Sequence, residues 1–315
     1  MTEDVKAQLR GHPSDETFAW VVAAIGARAR LDSWMVAQGG SACAIHAVDV
    51  LDAGGLRHPL LLKRFFRDSW LAREPDIVER EARHLTLLAQ VDLPIPRLVA
   101  ADPRAEDCDL PAVLMTRLPG RPEFVPRDMS TWLRSLVETA VALHALPKSL
   151  WSGFPPYQSY NDLACLEVPR WTHRPEVWER AIKRLQDTPP ARANRFVHRD
   201  FHPGNLLWSQ GRVTGVLDFP YASHGPAAVD LGHCRVNLAQ LHGPDAADRF
   251  LEIYESVAPG SLEIDPYWDL LSLADCLPGP EGVYWGWRNL GVTHLTAETC
   301  WRRLDEFAQR VIARL

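Results

Sequence analysis

Apolar and polar positions follow two different rhythms along this chain, and the rhythm changes between about residues 120 and 127. Residues 33–66 run as short apolar stretches, WMVAQ, ACAIHAVDVL and PLLLKRFF, separated by GGS and by DAGG. Apolar runs bounded by glycine turns predict an antiparallel meander. A helical pattern, FAWVVAAIGARA, precedes them. Another helix is predicted over roughly 75–90, where Ile77, Val78, Ala82, Leu85, Leu88 and Ala89 recur at helical spacing and Pro75 suits the first turn. VDLPIPRLVAAD ends that helix and begins a strand. PAVLMTRL is a further strand, closed by Pro119 and Gly120.

From about 127 the pattern is mainly helical. MSTWLRSLVETAVALHAL and RPEVWERAIKRLQD come first; VDLGHCRVNLAQL, DAADRFLEIYESV, YWDLLSLADCL and AETCWRRLDEFAQRVIARL follow. Between them RFVHRD, NLLW and VTGVLDF read as short strands and loops. Strands first, then helices with a small strand insert, predict an α+β chain of two lobes, 1–118 and 119–315. A chain of 315 residues is long for one hydrophobic core and suits two.

Composition narrows the function. The chain is 46% hydrophobic and 23% charged, as in ordinary soluble globular proteins. A net charge of −6 gives a nucleic-acid partner no electrostatic support, while it accommodates a cationic small molecule. No apolar run approaches a membrane span, and MTEDVKAQLRGHPSDE has no secretory core. Cys43, Cys108, Cys165, Cys234, Cys276 and Cys300 are scattered without a CxxC pair, so neither a disulfide framework nor a zinc site is expected, and the cysteine usage fits a reducing cytoplasm.

The chemistry concentrates in FVHRDFHPGNLLW at 196–208. It holds His198, Asp200 and Asn205, and Asp218 follows in GVLDFP, thirteen residues after Asn205. That spacing matches the H-R-D-x-x-x-x-N loop and later metal-binding Asp-Phe of phosphoryl-transfer enzymes. Such transfer needs positioning and charge neutralisation more than covalent help. Asp200 is the candidate to orient an incoming hydroxyl and take its proton. Asn205 and Asp218 offer the hard oxygen ligands that Mg²⁺ prefers, and His198 braces the loop. These groups are expected to converge on the terminal phosphate of ATP.

Of 34 basic residues only Lys6, Lys63, Lys148 and Lys183 are lysines, so Lys63 within the apolar PLLLKRFF calls for a reason. A nucleotide kinase needs a compact cation there for the α- and β-phosphates, paired with a helix glutamate. Glu81, eighteen residues later in EREARHL, is the candidate, with Glu79 as rival. A strand-end lysine reaching to water is the bland alternative. Gly39, Gly40 and Ser41 between two strands offer backbone N–H groups to phosphate; a plain hairpin turn explains them nearly as well.

With these residues assembled, the chain resembles the aminoglycoside phosphotransferase family, itself similar to choline kinases. QGGS, LLLKRF, REARHL, LPIPRLV, VLMTRLPG, ALHAL, HRDFHPGN, LDF and GPAAVDLG carry the resemblance, over about residues 33–290. It implies a protein-kinase-like fold, with a small antiparallel sheet lobe bearing one helix and a larger helical lobe. It also implies ATP and Mg²⁺ as cofactors, adenine held near Thr116 and Leu118, and Asp230 as a structural acid beside the catalytic loop. Pro220 after Asp218-Phe219, and the lack of an APE segment, argue against a protein substrate.

The acceptor is expected among the C-terminal helices. Asp265, Asp269, Asp275, Glu281 and Glu298, with Trp268, Tyr284, Trp285 and Trp287, can form a cation site or simply an acidic face over core tryptophans. A nucleotide-binding pseudokinase is the rival from another class; it predicts loss of a catalytic residue, and all are present.

Overall fold

The computed structural model describes residues 11–37, 43–190, 193–258, 264–277 and 283–315. Its described residues form two compact units, Met1–Pro119 with Gly215–Pro220, and Gly120–Thr214 with Tyr221–Leu315.

The first unit is built on one antiparallel sheet in the order β1–β2–β3–β5–β4. Its strands are β1 (Arg30–Val36), β2 (Cys43–Leu51), β3 (Arg57–Phe65), β4 (Leu98–Asp102) and β5 (Ala112–Thr116). β2 and β3 pair from Cys43 with Phe65 to Leu51 with Arg57. The DAGG turn between them is held by Asp52, whose Oδ1 accepts from Gly54 N and Leu56 N. Side chains alternate across a strand, so Leu60 and Leu62 share one face and Lys63 points to the other. Helix α1 (Asp15–Ile25) covers the first face: Phe18 and Val21 pack with Val48, Val50, Leu60, Leu62 and Leu114. Ser14 caps α1 by accepting from Thr17 N at 3.1 Å. A short α2 (Asp68–Arg73) precedes α3 (Ile77–Leu88), the helix expected over roughly 75–90. Helix α3 begins just after Pro75 rather than at it.

The second unit holds α4 (Met129–His144), α5 (Lys148–Trp151), α6 (Pro175–Gln186), α7 (Ala228–His242), α8 (Pro244–Val257), α9 (Tyr267–Ala274), α10 (Trp285–Asn289) and α11 (Ala297–Ile312). Two small ribbons stand among them, β6 (Asn194–Val197) with β9 (Ser223–Pro226), and β7 (Leu206–Ser209) with β8 (Arg212–Val216). None of the described helices is long and apolar enough to cross a membrane.

Helix α7 is buried on nearly all sides, so its sequence shows no clean amphipathic stripe. Two features let its neighbours approach. A Cβ at Gly232 would lie 2.6 Å from the Trp268 carbonyl oxygen and 2.7 Å from Ser272 Oγ, both on α9. One turn later the buried Arg235 pairs with Asp269 of α9 and Asp248 of α8. The glycine sets how closely the helices approach, and the ion network fixes their register.

Gly232→Ala therefore forces α9 away from α7, at a cost of about 1–3 kcal/mol typical of overpacking. Denaturant unfolding should show a lowered midpoint with the same slope. An unchanged midpoint would mean that the helices are not in close contact at this point.

Candidate active site

In the first unit three charged side chains meet. Lys63 Nζ donates to Glu81 Oε2 at 2.7 Å, Glu81 Oε1 at 3.0 Å and Asp218 Oδ1 at 2.8 Å. Glu81 is buried at a core position of α3, whereas Glu79 is exposed. Burial disfavours the Lys63 ammonium, but Asp218 and Glu81 outweigh that and hold its pKa well above the usual lysine value. Asp218 adopts a left-handed φ of 70°, and its side chain keeps 40% exposure. One turn after Glu81, His84 Nδ1 donates to the Phe219 carbonyl at 2.8 Å. Helix α3 thus binds both the lysine and the Asp218-Phe219 backbone.

In the second unit a buried carboxylate organises the loop after β6. Asp230, fully inaccessible, accepts from His198 N at 2.8 Å, Arg199 N at 2.6 Å and His144 Nε2 at 3.1 Å. Arg199 takes φ = 73°, left-handed and costly for a residue with a side chain. His198 Nδ1 accepts from Asp200 N at 3.3 Å, which makes Nε2 the protonated nitrogen in the neutral tautomer. Asp200 Oδ2 accepts from Asn205 Nδ2 at 2.7 Å, and Oδ1 lies 3.0 Å from His233 Nε2 on α7 and 3.7 Å from His202 Nε2. Asn205 Nδ2 also reaches the Asp200 carbonyl at 2.9 Å. Burial alone would raise the Asp200 pKa; the charge of His202 and the bond from His233 outweigh it and hold the group far below the usual carboxylate range. Burial alone would lower His233, but the bond to Asp200 raises it above the usual histidine value.

The oxygen donors suit a hard cation. The Asn205 amide nitrogen is committed to Asp200, leaving its oxygen free of these bonds, and in the other unit Asp218 uses only Oδ1 on Lys63. At the end of β5, Thr116 N donates to the Arg97 carbonyl, while Leu118 N makes no backbone bond among the described residues. Ser41, Gly39 and Gly40 lie outside the described residues.

A small cleft in the second unit is lined by Tyr157, Tyr160, Arg199, His233, Trp268 and Asp275, among others. Of the acidic and aromatic residues singled out in the sequence, Asp275 and Trp268 line it. Asp269 is buried against Arg235, Trp287 is core, and Asp265 accepts from Tyr267 N. Glu298 lies in the first turn of α11, and Tyr284 is exposed. Glu281 and the Trp285 side chain lie outside the described residues. His202, His233, Tyr157 and Tyr160 were not singled out in the sequence. For His233, only its place three residues after Asp230 in a helical segment could have suggested it.

The family model described as phosphotransferase enzyme family matches residues 46–267. No curated protein sequence matches the chain. A candidate aminoglycoside phosphotransferase from Ralstonia eutropha superposes with a TM-score of 0.60 at 16% identity, over 96% of this chain and 98% of that one. A thermostable mutant of aminoglycoside phosphotransferase APH(4)-Ia, solved with AMP-PNP and hygromycin B, gives 0.58 at 18% identity, over 94% and 97%. Amicoumacin kinase hAmiN, solved with AMP-PNP, Ca²⁺ and the ligand Ami, gives 0.56 at 15% identity, over 100% and 96%. At these identities the likeness shows the fold, a kinase-like α+β architecture.

Burial lowers His84 to about 4 and does the same to His46 and His242. Histidines of an unfolded chain titrate near ~6.5. Between these limits the unfolded chain holds protons that the folded chain lacks, so stability rises with pH and falls on acidification from about 6.5 toward 4. Denaturant unfolding across that window should show the loss. His84→Gln should flatten the slope by up to one proton, about 1.4 kcal/mol per pH unit; an unaltered slope would mean that His84 titrates normally in the fold.

Proposed function

The chain belongs to the phosphotransferase enzyme family, a small-molecule kinase by that membership, and from this premise we propose that it transfers the γ-phosphoryl group of ATP to a hydroxyl of a small acceptor. The observation that carries the reading is Asp200, held between the Asn205 amide and the His233 imidazole on a loop fastened by Asp230.

In this reading the sheet unit, residues 1–118 in the main, binds the nucleotide. Lys63, held by Glu81, meets the α- and β-phosphates. Its third donor rests on Asp218, and a phosphate oxygen can exchange for that carboxylate. Asn205 and Asp218 are each candidate ligands for Mg²⁺, which would supply neutralisation of the phosphate charge. The backbone near Thr116 and Leu118 takes the adenine edge; with Thr116 N committed to Arg97, Leu118 N is the donor left for it. Ser41, Gly39 and Gly40 are the backbone donors this reading assigns to the phosphates.

Asp200 orients the acceptor hydroxyl. A carboxylate with so low a pKa draws little proton from a ground-state alcohol. It positions the oxygen and receives the proton as the oxygen–phosphorus bond forms, which suits a loose transition state. The hygromycin B and Ami bound by relatives make amine- and sugar-bearing alcohols the first acceptors to screen. A pseudokinase would bind nucleotide without turnover; Lys63, Glu81, Asp200, Asn205 and Asp218 are all present, which disfavours it.

ADP release with magnesium across amines, sugars, amino alcohols and antibiotics tests the reading. Asp200→Asn should lower kcat by about 10²–10⁴-fold, the range for loss of an acid–base group. Asp218→Ala should abolish turnover. Equal turnover in the wild type and both variants would sink the kinase assignment. Lys63→Met should raise the KM for ATP and leave the fold intact by circular dichroism; an unchanged KM would remove Lys63 from the nucleotide site.

A further inference from the structure

The cleft contains a cation with no carboxylate in direct ion-pair contact among the described residues. The two most deeply buried guanidinium groups elsewhere in the chain are each neutralised: Arg64 has Asp109, and Arg235 has Asp248 and Asp269. Arg199 is half-buried and forms no ion pair with a carboxylate among the described residues, and its Nη2 is buried without a hydrogen-bond partner. Its guanidinium carbon lies 3.3 Å from the centre of the Tyr160 ring and 5.0 Å from that of Tyr157. Two tyrosine faces thus orient the group by cation–π contact while supplying no hydrogen-bond acceptor. The backbone beneath it is equally fixed, left-handed and bonded to Asp230. A guanidinium held rigidly, stripped of part of its water and left with an unused donor is a preorganised anion site.

The rest of the cleft defines what that anion is attached to. His233 lines the same space and bonds Asp200, which directly follows Arg199 in the chain, so the guanidinium and this carboxylate are linked both by the backbone and through His233. Asp275, on the opposite side of the charge balance, is tied to Asn161 Nδ2, and burial raises its pKa, with His233 and Arg199 working against that rise. It is a partner for one amino group rather than for a polycation.

Resting on the kinase reading above, we propose that the acceptor is a hydroxy acid, with or without an amino group: its carboxylate binds Arg199, its hydroxyl meets Asp200, and an amino group, where present, faces Asp275. The transfer balances in the ordinary way. The acceptor oxygen bonds to the γ-phosphorus, the bond from that phosphorus to the bridging oxygen of ADP breaks, and the hydroxyl proton passes to Asp200.

The test compares short hydroxy acids (D-glycerate, L-serine and L-homoserine) with their uncharged amides and with a polycationic aminoglycoside. ADP release is read alongside calorimetric binding in the presence of AMP-PNP. Hydroxy acids should bind and turn over, and each amide should bind about tenfold to 100-fold more weakly, as for loss of one charge-assisted pair. Arg199→Gln should erase the difference between acid and amide, and Arg199→Lys should restore part of it. Because Arg199 is strained, Arg199→Gln can fail to fold; the acid–amide contrast in the wild type then decides alone. Amides or aminoglycosides that bind as well as the acids, alongside ADP release that depends on Asp218, would overturn the acid assignment and leave the kinase reading standing. Failure to bind any of the hydroxy acids also overturns it. ADP release insensitive to Asp200→Asn and Asp218→Ala would remove both.

Discussion

The Asp230 carboxylate is the constraint on which the catalytic loop depends. It is wholly buried, and it satisfies two consecutive backbone N–H groups, those of His198 and Arg199. Here the chain offers both groups to one carboxylate with Arg199 in the left-handed region. That conformation costs on the order of 1–2 kcal/mol. Two hydrogen bonds to an ionised acceptor, each worth about 1.5–3 kcal/mol, outweigh it. Without the carboxylate the turn would have no reason to persist, and two buried N–H groups would lack partners. His144, in turn bonded to Tyr254, fixes the carboxylate from behind.

The same helix that fastens the loop also completes it. Asp230 and His233 are three residues apart on α7, so their side chains leave the helix on neighbouring positions of one face. One grips the backbone before Asp200, and the other meets the Asp200 side chain itself. Gly232 between them allows α9 to lie close, and α9 carries Trp268, with Asp275 just beyond its end, into the cleft. The packing of α7 on α9 and the electrostatics of Asp200 are therefore one structural problem. A displacement of α7 would change both the orientation of the Asp200 carboxylate and the shape of the cleft. In the sheet unit, α3 plays a comparable part, since Glu81 and His84, one turn apart, hold Lys63 and the Phe219 carbonyl.

Much of the fold was legible because its signals are local. Each strand of the meander is bounded by glycine or proline, and α3, α4 and α6 carry their buried positions at helical spacing. β9 was not legible: SHGP has no alternation and becomes a strand only by pairing with β6. The site divides in the same way. Asp200 and Asn205 stand five residues apart in one string, and the structure joins them by a hydrogen bond. His233 meets Asp200 across thirty-three residues of chain, a relation that no window of sequence contains. Asp269 and Asp275 look alike in the sequence. Only the partners separate them, since Arg235 neutralises Asp269 in the core while Asp275 faces the cleft.

The charges around Asp200 limit what kind of help it can give in the proposed transfer. A carboxylate flanked by two imidazoles and an amide is a strong hydrogen-bond acceptor and a weak base. Such a group holds an alcohol in line for attack without first stripping its proton, and a loose transition state asks for no more. His233 sharpens that role, because its bond to Oδ1 must yield to the incoming hydroxyl or share the oxygen with it. Arg199 belongs to the same loop as Asp200 and is fixed by the same Asp230, so an acceptor anchored on the guanidinium is registered against the carboxylate by the backbone between two adjacent residues. Orientation is the main resource of an enzyme that does little covalent chemistry. In the proposed function that orientation reduces to one buried acid, Asp230, which fixes both Arg199 and the start of the Asp200 loop.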